Sequence, residues 1–286
     1  MISNICTKFE GLPKNAEVNP ADVERFDKLQ YETAGQEEIK NALKILMRMM
    51  NAVYNKPVIL LIDEYDVPLA KAYSNNYYNE MLDLIRGIMS TSLKTNEYLK
   101  FAVVTSCLRI PKESIFTGVN NFTSYSVIDS RFSKYFGFTN DEVLEMLKRF
   151  NLTDKAEIIK LWYDGYIFGV SDVYCPWDVV NYISDLLYQR NIEPKNYWEN
   201  TSGNSAIKAF FDMPDIDISD KFEALLNGET ICEKVTNSLT YDQVYKSESN
   251  LWSLLLMTGY LTVNHRVDND KHPVELRIPN REIGNR

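Results

Sequence analysis

Histidine is nearly missing from this sequence: only His265 and His272 occur, both close to the end. A catalytic triad needs an imidazole to carry the proton between nucleophile and leaving group, so a histidine-based triad is not expected. Cysteine is scarce too. Cys6, Cys107, Cys175 and Cys232 lie far apart, with no CxxC and no Cys/His spacing of the kind that grips zinc. Such scattered thiols read as reduced and structural, as in a cytoplasmic protein. No stretch reaches the length of a membrane span, and the opening MISNICTKFE lacks the apolar run of a secretory signal. The expected location is therefore cytoplasmic, with no membrane partner. Positive charge is also in deficit, with 31 Lys and Arg against 40 Asp and Glu, a net charge of -9 and a pI near 5.0. That argues against broad adhesion to nucleic acid and leaves only a local basic patch as a route to it. One more absence bears on chemistry. None of the eleven glycines precedes a lysine, so GxxxxGK[ST] is not present. Without it there is no nest of backbone N–H groups for a triphosphate and no lysine to neutralise one.

The chain has 286 residues, of which 45% are apolar and 25% charged, an ordinary globular balance for one large domain or two small ones. Residues about 20–55 read as helical, opened by Asn19-Pro20 as cap and first-turn proline. From Gln36 to Tyr54 the apolar residues Ile39, Leu43, Leu46, Met47, Met50 and Tyr54 recur at helical steps, a stripe best read as core packing. The run Val58-Ile59-Leu60-Leu61-Ile62 reads as a strand covered on both faces, as in a parallel α/β sheet. A helix over Tyr77–Lys94 and a second strand, Leu99–Thr105, complete a strand–helix–strand unit. From about residue 139 helices dominate. Thr139 and Glu142 have capping-box spacing at the start of one through Phe150; Thr153–Tyr163 and Trp177–Gln189 suggest two more. Between those two, the glycines of WYDGYIFG suggest a tight turn. The tail reads helix (Asp220–Leu226), strand (Thr230–Val235), helix (Asn250–Thr258), then a hairpin, Tyr260–Asn264 with Val274–Pro279 around Asp268-Asn269-Asp270. That is the order of a winged-helix module.

The chemistry concentrates where the first strand runs into Asp63-Glu64-Tyr65-Asp66. A strand tip is rigid, so Asp63 there suits a Mg²⁺-bound water and Glu64 the polarisation of an attacking water. Thr105 and Ser106, at the tip of the next strand, suit contact with a terminal phosphate, and Arg109 and Lys112 lie just beyond. An equally good reading is a buried strand that exits into an acidic loop. The nuclease pattern has only an echo in Pro214-Asp215 and Glu275-Leu276-Arg277, without its lysine; a strand ion pair explains Glu275 more simply. Trp162-Tyr163 and Trp252 read as core aromatics rather than base-stacking platforms.

Seven blocks in order carry a resemblance: VILLIDEYDVPL (58–69), SCLRIPKESIFTGVNNF (106–122), YFGFTNDEV (135–143), WYDGYIFG (162–169), VYCPWDVVNYI (173–183), NYWENTSGNSAI (196–207) and LLLMTGYLT (254–262). Together they resemble the bacterial AAA-ATPase-like family, over about residues 20–280. The resemblance implies a partial P-loop NTPase-like, STAND-type parallel sheet over 1–138, a helical lid over 139–212 and a winged-helix-like segment over 213–286. It implies Mg-ATP as cofactor, Asp63 as the Mg-binding acid, Glu64 as the water-activating acid, and Thr105–Ser106 as the sensor strand end. Family members usually carry a phosphate-binding loop and a further strand upstream, and a nuclease-like domain downstream; this chain has neither. It thus reads as truncated (a fragment, a split gene or a decayed copy), or as a chain whose missing strands come from itself or a protein partner. The expectation is an ATPase-like module inactive alone. The alternative is a non-enzymatic module whose winged-helix-like end binds protein or DNA; its helix, NLWSLLLMTG, contains no Lys or Arg, which favours packing or a protein partner.

Overall fold

The computed structural model describes residues 2–108, 115, 122–198, 218–236, 239–241, 243–265 and 273–285. They fall into two compact units divided between Thr123 and Ser124.

The first unit opens with α1 (Ile2–Lys8), α2 (Pro20–Gln30) and α3 (Gln36–Tyr54). The helical stretch expected over 20–55 is broken once. Glu32 turns left-handed (φ 59°), and α3 restarts behind Gly35, whose N–H donates to Glu38 Oε2 at 2.9 Å. Asn19 caps α2 as its sequence suggests, its Oδ1 accepting from Ala21 N at 2.9 Å. The break lets α2 and α3 share a core built from Phe26, Leu29, Ala42, Ile45, Leu46 and Met49. The buried face of α3 is therefore offset from the expected stripe: Ala42, Ile45 and Met49 join Leu46 and Met47, whereas Tyr54 is exposed. This helix packs against both α2 and the later helix Tyr78–Leu93, and two neighbours widen its apolar face.

β1 (Val58–Ile62), α4 (Val67–Ser74), α5 (Tyr78–Leu93) and β2 (Leu99–Val104) follow. β1 and β2 pair in parallel, with Ile59 opposite Phe101 and Leu61 opposite Val103. One expectation fails here. The strand is not covered on both faces: α3 and α5 pack on one, while Ile59, Leu61, Phe101 and Val103 are 55%, 71%, 56% and 41% exposed on the other. The sheet holds two strands among the described residues, so nothing described lies across that second face.

In the second unit, α6 (Asn140–Arg149) begins with the capping box, Thr139 N donating to Glu142 Oε2 at 2.8 Å. After a 3₁₀ turn at Thr153–Lys155, α7 (Ala156–Tyr163) leads into a hairpin of β3 (Tyr166–Phe168) and β4 (Ser171–Val173), then α8 (Pro176–Tyr188). The expected tight turn is thus two short strands, with Gly165 (φ 102°) and Gly169 (φ 50°) at its bends. Val143, Leu147, Leu152, Ile159, Tyr163, Val179 and Tyr182 form the core. The tail contains α9 (Ser219–Leu226), β5 (Ile231–Glu233), α10 (Glu248–Met257), β6 (Thr262–Val263), β7 (Val274–Arg277) and α11 (Arg281–Gly284). Its three strands form one antiparallel sheet in the order β5-β7-β6. The turn Asp268-Asn269-Asp270 lies outside the described residues. The β3–β4 hairpin is tied to this sheet: Ile167 N donates to Thr262 Oγ1 at 2.8 Å and Arg277 to Gly165 O at 2.8 Å. The whole is a mixed α/β chain with a small parallel sheet and many helices. Among the described residues no helix is long and apolar enough to cross a membrane.

Candidate functional site

Parallel pairing brings the C-terminal tips of β1 and β2 to one edge. Thr105 N donates to Ile62 O at 2.8 Å, and Tyr65 N to Thr105 O at 3.1 Å, extending the ladder one step past each strand. This places Thr105 beside Asp63, and its hydroxyl donates to Asp63 Oδ1. Glu64 follows with a left-handed backbone (φ 52°), unusual for a residue with a long side chain, and both acids are exposed. The third acid behaves differently. Asp66 is 1% exposed and its Oδ2 accepts from Leu108 N at 3.0 Å, pinning the segment after β2. Ser106 is turned into the same segment, donating to Leu108 O at 2.7 Å. Of the expected site residues, then, Asp63 and Thr105 meet, Glu64 stands next to them, and Ser106 is engaged locally. Arg109 and Lys112 lie outside the described residues.

Residues 5–116 match the family model described as "Predicted AAA-ATPase". That segment is AAA-ATPase-like. A relative from Azotobacter chroococcum mcd 1, "Uncharacterized protein in vnfD 5'region", is 27% identical over 248 residues. The alignment takes in 83% of this chain and 43% of the relative, so the chain spans less than half of that protein's length. No solved structure matches significantly.

Within the AAA-ATPase-like segment the acids also act on a thiol. Cys107 is held above the ordinary cysteine range by burial first, then by the negative charge of Asp66, Glu64 and Asp63. The residue as a whole is exposed, which gives the neighbouring carboxylates more weight than burial in our reading.

The fit of Mg²⁺ to these groups is partial. The ion typically takes one or two carboxylates and fills its octahedron with water and phosphate oxygens. Asp63, exposed at a rigid tip and already oriented by Thr105, fits as one such carboxylate. No group of three or more His, Cys, Asp or Glu residues able to hold a metal occurs among the described residues. The sequence supplies no glycine-lysine loop to face Asp63. Among the described residues the tip therefore presents exposed carboxylates, with one of them hydrogen-bonded to Thr105.

Elsewhere, Glu275 on the central strand β7 is held by Thr230 (2.7 Å), Asn264 (2.9 Å) and His265 (3.0 Å), a network that spans the small antiparallel sheet. Pro214-Asp215 lies outside the described residues. Tyr163 and Trp252 are fully buried. Sequence reading missed the pinning role of Asp66; its offset of three from Asp63 was the available signal, since a turn after a strand sends such residues to different sides.

Proposed function

We propose that the AAA-ATPase-like segment contributes the acidic half of a nucleotide-hydrolysing site and does not hold Mg-ATP alone. The observation that carries this is the Thr105–Asp63 hydrogen bond across the tips of a parallel strand pair, in a chain with no glycine-lysine loop. In this reading Asp63 would hold a Mg²⁺-bound water, Glu64 would polarise the attacking water, and Thr105, followed in sequence by Ser106 and then Arg109, would respond to the terminal phosphate. Bound Mg²⁺ would supply neutralisation of phosphate charge. Without the cations of a phosphate loop, a triphosphate beside Asp63, Glu64 and Asp66 meets net repulsion. Titration calorimetry of the chain with Mg-ATP is expected to give no heat of specific binding. Submicromolar affinity would overturn the claim that the site is incomplete.

A second reading is favoured by the open sheet. Two-stranded parallel sheets with a bare apolar face are rare, because parallel strands are stabilised by cover on both sides. Ile59, Leu61, Phe101 and Val103, with both outer strand edges unpaired among the described residues, favour self-association that completes the sheet. The tail's order of elements supports a winged-helix-like reading of residues 213–286. Its helix α10 has Leu251 through Leu256 all buried and no Lys or Arg, which favours packing or a protein partner over reading a DNA groove.

A further inference from the structure

The segment Tyr125–Phe136 carries an aromatic and cationic array that none of the chemistry above uses. Tyr125, Phe132 and Tyr135 form a chain of rings, with centroids 5.3 Å and 6.2 Å apart. The Arg131 guanidinium lies over both Tyr125 (5.3 Å) and Phe132 (5.2 Å) and donates to Tyr125 OH at 2.7 Å. Lys134 sits 5.4 Å above the Tyr135 ring. These rings are not core. Phe132, Tyr135 and Phe136 are 45%, 70% and 63% exposed.

Two features indicate that the array is built rather than incidental. Phe132 has φ 67°, a left-handed backbone that costs a bulky residue on the order of 1–3 kcal/mol and persists only where its surroundings impose it. The surroundings here are rigid. Gly169 N donates to Val127 O at 2.8 Å, Ser133 and Ser171 share a hydroxyl bond of 2.8 Å, and Phe138 bridges Tyr174. A Cβ on Gly169 would lie 2.3 Å from Asp129 O, so the segment is clamped directly onto the β3–β4 hairpin.

Local charge separates the candidate ligands. Two acids of this region are engaged: Asp129 Oδ2 accepts from Ser126 N at 2.5 Å, and Glu142 closes the capping box while also feeling Lys134. Arg131 and Lys134 remain beside exposed rings, against a chain whose net charge is -9. Exposed rings interleaved with cations suit a ligand that combines flat apolar faces with negative charge. Paired bases offer no free faces, whereas unpaired ones do. We propose that Arg131, Phe132, Lys134, Tyr135 and Phe136 form a binding platform for single-stranded nucleic acid, with bases against the rings and phosphates against the two cations. The platform rests on none of the nucleotide-site residues.

Fluorescence anisotropy of the full chain with a labelled oligothymidylate of about twelve nucleotides tests this. Two neutralised phosphates predict a log–log salt slope of about 1.4, so affinity falls about sevenfold over a fourfold rise in salt. Tyr135→Ala should weaken binding at least about fivefold, the lower bound for losing one base stack. Lys134→Ala should flatten the salt slope by about half. Circular dichroism confirms that both variants fold, which the exposure of Tyr135 favours. The proposal is overturned by no binding at about 100 μM protein in about 50 mM salt, by binding that neither variant changes, or by a blunt duplex bound as tightly as the single strand. Tighter binding of an acidic, aromatic peptide would instead make the platform a protein interface and would also overturn it.

Discussion

Thr139 and Glu142 hold the start of α6 by reciprocal bonds: Thr139 N and Oγ1 both donate to Glu142 Oε2 at 2.8 Å, and Glu142 N donates back to Thr139 Oγ1 at 3.4 Å. The Thr139 backbone N–H, then its hydroxyl, hold the Glu142 carboxyl below the ordinary range. A lowered carboxylate contributes stability above its unfolded pKa and loses that contribution as pH falls through its folded value. Thr139→Ala is therefore expected to cost about 1 kcal/mol in urea unfolding at neutral pH. Glu142→Ala should be destabilised there too, and its deficit should close as pH drops below about 4.5. This cap was legible because a capping box is local, requiring only two residue types three apart. The left-handed backbone of Glu64 was not. Nothing in its side chain asks for φ 52°; the turn between the β1 tip and α4 imposes it.

At the scale of elements, apolar periodicity located most helices and strands but could not tell which face a neighbour would cover. Leu61 and Leu69 are the same residue type eight positions apart, one in a strand and one in a helix, yet Leu61 is 71% exposed and Leu69 fully buried. In dilute, monomeric chain, Leu61→Thr is expected to change unfolding free energy by no more than about 0.5 kcal/mol. Leu69→Ala should cost about 2–5 kcal/mol. Equal costs in chemical denaturation would mean that the outer face of β1 is covered within the chain. Helix α4 escaped sequence reading because Pro68 and two alanines in VPLAKAYS give a weak apolar signal over 8 residues. The β3–β4 hairpin escaped for a related reason. Strands of 3 residues are too short to show alternation, and the glycines that bound them signal only a bend.

For the whole molecule, the exposed face of the β1–β2 sheet gives the self-association reading a direct test. Light scattering across a concentration series is expected to show mass rising with concentration, and Leu61→Glu should abolish the rise by placing charge on the shared face. A monomer at every concentration would remove that reading. The charge imbalance, the absence of a glycine-lysine loop and the acidic run after an apolar strand are properties of the residues in order, so the sequence alone settled them. It also announced the tail's succession of helix, strand, helix and hairpin, because strong local patterns survive without knowledge of their neighbours. Other features came only with the folded chain: the meeting of Asp63 with Thr105, the withdrawal of Asp66 into Leu108, the bare side of the sheet, and the ring array on Tyr125–Phe136. Each depends on contacts between residues far apart in sequence or on a backbone conformation imposed from outside, and such energies have no counterpart in any single stretch of residues.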